Sequence, residues 1–143
     1  MKIKIAVADD HPLMIIGLNY VISNSTDMEI TGSYSGGSEL LNGLAKALPD
    51  VLLLDIHMPG QKGDELAEII SARHPTVKIL VITNEDDVFH IKNMMQKGVN
   101  GYILKTARGE ILLDAIRKVF AGRQFLESNL KDKLVQDMLD NAV

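Results

Sequence analysis

Apolar residues along the chain fall into two alternating kinds of segment. Short β-rich runs occupy residues 3–8, 29–34, 51–54, 77–82 and 102–104. Two of them, Val51-Leu52-Leu53-Leu54 and Ile79-Leu80-Val81-Ile82, are apolar without interruption. Such runs predict strands covered on both faces, as in a parallel sheet. Residues 29–34 are more polar and predict an edge strand. Between the runs the spacing is helical. Pro12 suits a first turn, and Met14, Leu18, Val21 and Ile22 share a face. Leu40, Leu41, Leu44 and Leu48 form a second stripe that stops at Pro49, and Leu66, Ile69 and Ile70 a third that stops near Pro75. Val88, Ile91 and Met95 form a fourth, with Gly98 as its stop. Leu112, Ala115, Ile116 and Val119 form a fifth, with Thr106 as the expected cap and an end near Gly122. Five βα units with short connections predict a parallel sheet with helices on both faces. They are too few for an eight-unit barrel, so an open, doubly wound α/β sheet is expected. Residues 123–143 stand apart. Ser128 is placed to cap a last helix carrying Leu130, Leu134 and Met138. An amphipathic stripe alone leaves two readings open, a helix packed on the domain or a linker toward something further.

Composition narrows the function classes. In 143 residues, 46% hydrophobic and 24% charged residues are ordinary globular usage. Cysteine is absent, which removes disulfides, thiolate nucleophiles and thiolate zinc sites and fits a cytoplasmic protein. No apolar run reaches membrane-spanning length, so no membrane association is expected. The opening Met-Lys-Ile-Lys-Ile gives way to Asp9 and Asp10, which is not the pattern of a signal peptide. A net charge of -4 argues against this chain gripping a nucleic-acid backbone directly.

Candidate chemistry lies at the carboxyl ends of the predicted strands, where open α/β sheets collect function. Asp9 and Asp10 end the first strand, Asp55 the third, Thr83 the fourth and Lys105 the fifth. Three carboxylates brought together repel one another, so they either stay partly protonated or bind a cation. Hard oxygen ligands suit Mg²⁺. The three carboxylates, one divalent cation and Lys105 sum to no net charge, so Asp55 can attack phosphorus without an uncompensated anionic site. The phosphoryl group that then replaces the Asp55 charge is neutralised by the same cation and lysine, and Thr83 can donate a hydroxyl hydrogen bond to it.

The segments Val7-Ala8-Asp9-Asp10-His11-Pro12, Leu53-Leu54-Asp55-Ile56-His57-Met58-Pro59-Gly60, Val81-Ile82-Thr83 and Gly101-Tyr102-Ile103-Leu104-Lys105 resemble the receiver domain of bacterial two-component response regulators. The Asp-Asp-His-Pro start and the Gly-Tyr-Ile-Leu-Lys strand are most similar to the NarL/FixJ (LuxR-type) subfamily. The resemblance implies a flavodoxin-like (βα)5 fold, five parallel strands in the order 2-1-3-4-5, over residues 1–122, with residues 123–143 as a C-terminal linker helix. It implies Asp55 as phosphoacceptor. It implies Mg²⁺ held by Asp10, Asp55 and the backbone carbonyl of His57, with Asp9 acting through water. Lys105 and Thr83 would bind the phosphoryl group, Tyr102 would follow Thr83 on activation, and His57 and Glu85 would tune the lifetime of the acyl phosphate. The partners implied are a sensor histidine kinase, DNA only through a C-terminal helix-turn-helix domain, and a second copy of the chain on phosphorylation. His11, at a helix start, is expected to be structural, and His90 a surface residue.

Two other classes fit less well. An aspartyl phosphatase on a related sheet generally has a second Asp two residues after its nucleophile, where this chain has His57, and the sequence offers no cap insertion that would select a substrate. A flavin-binding protein would need a Ser/Thr/Gly-rich phosphate loop after the first strand, where this chain has an acidic pair. A helix-turn-helix output needs on the order of 60 further residues, so the sequence is expected to be the N-terminal piece of a longer regulator.

Overall fold

The computed structural model describes residues 1–142. Its elements alternate as expected: β1 (Ile3–Ala8), α1 (Pro12–Ser23), β2 (Met28–Tyr34), α2 (Gly37–Lys46), β3 (Val51–Leu54), α3 (Gly63–Arg73), β4 (Lys78–Thr83), α4 (Val88–Gln96), β5 (Gly101–Leu104), α5 (Gly109–Phe120), β6 (Phe125–Leu126) and α6 (Ser128–Asp140). The sheet order is β2-β1-β3-β4-β5-β6, and every pairing is parallel.

Alternation along the strands builds two cores. Leu52 and Leu54 face α2, α3 and α4, where Leu40, Leu44, Leu66, Ile70, Ile91 and Met94 are buried. Val51 and Leu53 face α1 and α5, meeting Leu18, Ile22, Leu112 and Ile116. The central strands β3 and β4 are covered on both sides, which is why their sequences are continuously apolar. Edge strand β2 alternates between covered and exposed positions, matching its more polar sequence. Gly98 and Gly122 adopt positive φ, 91° and 89°, and stop α4 and α5 where the sequence placed the stops.

Four local features differ from the sequence reading. After α5 the chain returns to the sheet, and Phe125 and Leu126 pair with Gly101 and Tyr102, adding a short sixth strand to the expected five. A two-residue strand has no readable period, so pattern analysis passes over it. Residue 106 lies in a turn before α5, whose cap is the extended Arg108. Ser128 is the first helical residue of α6, and Glu127 sits at the cap. Leu48 leaves the second stripe and is exposed, because α2 already ends at Lys46. The residue before a proline disfavours helix, so Pro49 acts one residue upstream of itself. In α6, Leu130 is wholly buried in the core beside α4, Leu134 is half-buried and Met138 exposed.

Candidate functional site

The carboxyl ends of β1, β3, β4 and β5 lie side by side. Three backbone hydrogen bonds continue the ladder past the strands and fix the loops that follow. The Asp55 N–H donates to the Ala8 carbonyl (2.9 Å), that of Asp9 to Tyr34 (3.0 Å) and that of Lys105 to Thr83 (2.8 Å). Parallel strands thus deliver residues far apart in sequence to one place.

Asp9 and Asp55 are buried, at 2% and 1% exposure, which only close cationic or hydrogen-bonding partners make tolerable. Lys105 supplies the charge. Its Nζ lies 3.1 Å from Asp55 Oδ2 and 3.3 Å from Asp9 Oδ2. The other Asp55 oxygen, Oδ1, accepts from the His57 backbone N–H at 3.0 Å. Asp9 Oδ1 accepts from the backbone N–H of His11 at 2.9 Å. Asp10 differs from both: its Oδ1 is buried and has no hydrogen-bond partner. His11 Nδ1 comes within 3.2 Å of that oxygen, but outside hydrogen-bonding geometry.

The structure brings into this cluster a residue expected from the sequence to be structural, His11. His11 Nδ1 is 2.8 Å from Asp9 Oδ1, 3.6 Å from Asp55 Oδ2 and 3.2 Å from Lys105 Nζ. One ring nitrogen cannot donate to Asp9 and accept from Lys105 at once, so those contacts exclude each other. The available signal was adjacency to the acidic pair. The ring's direction is set by the extended backbone of His11 before Pro12.

Asp9, Asp10, His11 and Asp55 each offer a ligand atom within one 4.8 Å group. A divalent cation fits this donor set. The oxygens are hard ligands, the site carries an excess of negative charge over Lys105, and Asp10 Oδ1 is an orphaned buried acceptor aimed into it.

Thr83 is fully buried at the end of β4, and its Oγ1 accepts from the Glu85 N–H at 3.2 Å. Tyr102 is buried on β5, and its hydroxyl donates to the Glu85 carbonyl at 2.6 Å. Burial pushes the Tyr102 phenol well above its ordinary range, helped by the charges of Asp87, Glu85 and Asp86. Thr83 and Tyr102 therefore hold opposite ends of the same peptide residue, Glu85. The Glu85 side chain reaches the other way, with Oε1 3.1 Å from His57 Nε2. His57 and Glu85 thus touch each other across the β3–α3 and β4–α4 loops. A groove of about 410 Å³ lies beside this pair, lined by Met58, Lys62, Phe89, His90 and Asn93 among others, and reaches none of the three aspartates.

A parallel sheet with an acidic, lysine-bearing cluster at its carboxyl edge defines a class, and comparison with known proteins gives the family. Residues 5–117 match the response regulator receiver domain, and the chain belongs to that family. Over 140 residues it is 35% identical to the oxygen regulatory protein NreC of Staphylococcus aureus, an alignment covering 97% of this chain and 64% of that protein. The chain thus spans less than two thirds of this relative's length. Among solved structures, the receiver domain of the putative response regulator NarL from Mycobacterium tuberculosis superposes with a TM-score of 0.81 at 30% identity, covering 85% of this chain and 98% of that one. A LuxR-family two-component response regulator from Aurantimonas superposes at 0.92 over 97% of this chain and 99% of its own, and at 21% identity it speaks for the fold. The fold and the NarL-type kinship expected from the sequence both hold.

Proposed function

We propose that Asp55 is the phosphoacceptor of this receiver domain and takes its phosphoryl group from the phosphohistidine of a sensor kinase. The observation that carries the reading is the buried Asp55 carboxylate held by Lys105, beside an Asp10 oxygen that has no partner within the protein. An Asp55 oxygen attacks phosphorus, an O–P bond forms, and the P–N bond to the donor imidazole breaks. The incoming group brings charge near -2 into a site where one carboxylate charge has been lost. Lys105 stands 3.1 Å from Asp55 and neutralises part of that charge. Asp10 and Asp55, with the carbonyl of His57, would hold Mg²⁺, which supplies the remaining neutralisation of phosphoryl oxygens. Both Asp9 oxygens already face His11 or Lys105, which supports contact through water for Asp9.

The fully buried Thr83 donates its hydroxyl to the phosphoryl group in this reading, releasing the Glu85 N–H, and Tyr102 follows by leaving the Glu85 carbonyl. The face formed by α4 and β5 then changes. In this reading Glu85 and His57, which touch each other at 3.1 Å, set how fast water removes the phosphoryl group. Residues 1–122 are the receiver unit and 123–143 an extension toward a DNA-binding output domain. The protein acts in the cytoplasm, and a second copy associates with the phosphorylated form. Among the described residues no helix is long and apolar enough to cross a membrane.

Intact-mass measurement after incubation with acetyl phosphate tests the central claim. Wild type gains one phosphoryl mass with Mg²⁺ and none without it, and Asp55→Asn gains none. Equal labelling of Asp55→Asn would sink the assignment.

A further inference from the structure

We propose that Glu85, Asp87 and His90 form a second cation site, separate from the aspartate cluster, that takes a borderline transition metal such as Zn²⁺, with His57 as a positioning residue for Glu85. The inference does not depend on which aspartate is phosphorylated.

Glu85, Asp87 and His90 each present a ligand atom within one 4.8 Å group. His90 Nδ1 lies 2.7 Å from Asp87 Oδ2 and 4.0 Å from Glu85 Oε2. Ligand bonds of about 2.0–2.2 Å in tetrahedral geometry put neighbouring donors roughly 3.3 Å apart. The two observed separations bracket that value, so small side-chain rotations complete the set. A mixed imidazole and carboxylate set suits zinc better than magnesium. Three protein ligands leave a fourth position for water.

Two histidines from different elements converge on Glu85, which separates this site from an ordinary acidic patch. His90 comes from the first turn of α4 and faces Oε2, while His57 comes from the β3–α3 loop and faces Oε1 at 3.1 Å. Among the described residues, the ion-pair partners of Glu85 and Asp87 are histidines alone. The neighbouring Asp86 turns away to Lys133 at 2.7 Å, and Lys105 is engaged by Asp9 and Asp55. No lysine or arginine therefore satisfies these two carboxylates.

The backbone of the site is already organised. Thr83 holds the Glu85 N–H and Tyr102 its carbonyl, so the Glu85 side chain, whose Oε1 meets His57, is not needed to hold the loop backbone. Asp87 uses Oδ1 to cap α4 through the His90 N–H at 2.9 Å, so a cation that replaces the hydrogen bond between Oδ2 and His90 Nδ1 leaves the cap in place. The Asp87 carboxyl is held below its usual range, first by that backbone hydrogen bond, so it is ionised at neutral pH. A cation here would tie the β4–α4 loop to α4.

The test is calorimetric titration of ZnCl2 into the full chain in excess Mg²⁺, with amide chemical-shift mapping alongside. Asp10→Asn should keep a zinc equivalent, with shifts concentrated at residues 85–90. His90→Ala and Glu85→Gln should weaken it about tenfold or more, while circular dichroism shows both variants folded. His57→Ala should weaken it less than His90→Ala. The proposal is overturned if His90→Ala binds zinc as wild type does, if Asp10→Asn abolishes binding, or if wild type shows no binding tighter than about 1 mM.

Discussion

Single positions near the site carry constraints that packing makes measurable. A Cβ on Gly63 would stand 2.5 Å from the Ile56 Cα and 2.7 Å from its carbonyl oxygen, so α3 approaches the loop after Asp55 as closely as backbone allows. Gly63→Ala should cost about 1–3 kcal/mol and disturb the His57 N–H bond to Asp55. Urea unfolding and the amide shift of His57 would report both. Tyr102→Phe leaves the Glu85 carbonyl without its donor and should cost about 1 kcal/mol. Its pH dependence has a definite sign. The Tyr102 pKa is raised in the fold, so its contribution is complete below the unfolded value and is lost as pH climbs past about 10. The gap between wild type and Tyr102→Phe should therefore shrink in alkaline denaturation. The aspartates, Thr83 and Lys105 were legible in the sequence because each sits at, or within two residues of, a recognisable strand end. The place of His11 was not, since its side-chain direction depends on a backbone angle and on neighbours delivered by other strands.

At the level of elements, α5 is tied to the start of β2 by a bidentate pair. Arg117 donates from Nε to Asp27 Oδ2 at 2.9 Å and from Nη2 to Oδ1 at 3.0 Å. The Arg117 guanidinium, followed by the Ser25 hydroxyl, holds the Asp27 carboxyl well below the usual carboxylate range. A depressed carboxylate stabilises the fold above its unfolded pKa and ceases to do so as pH falls through the folded one. Arg117→Met should therefore be less stable than wild type at neutral pH, with the difference closing as pH drops below about 4. Melting curves across that range would show whether the two lines converge. Leu130 anchors α6 in the core with no exposed surface. Leu130→Ala should cost about 2–5 kcal/mol and speed amide exchange throughout α6 if the helix depends on that contact. The five long strands and their helices were readable because their periods persist over several residues. The pairing of β6 and the docking of α6 were not, because both rest on contacts with β5 and α4 that leave no periodic trace.

For the whole molecule, the clustered carboxylates repel one another beyond what Lys105 offsets, and a bound cation would relieve that repulsion. Mg²⁺ at 100 times its dissociation constant should stabilise the protein by about 2.7 kcal/mol. For a chain of this size that is a rise in melting temperature of roughly 5–10 °C. Asp10→Asn should melt higher than wild type without Mg²⁺, because one repulsion is gone, and should respond little when Mg²⁺ is added. A wild-type melting point indifferent to Mg²⁺ would argue against a cation in the acidic pocket. The same molecule has a mechanical property that follows from how its last helix is held. Lys92 on α4 meets Asp137 on α6 at 2.6 Å, and Lys133 on α6 meets Asp86 in the β4–α4 loop. With Leu130 as pivot, α6 is yoked to α4 and to the loop before it. A tilt of α4 is handed on along a rod about 20 Å long, and a tilt of about 10° carries its far end through roughly 3 Å. The two ion pairs are half exposed, so salt slackens the yoke while the pivot stays in place.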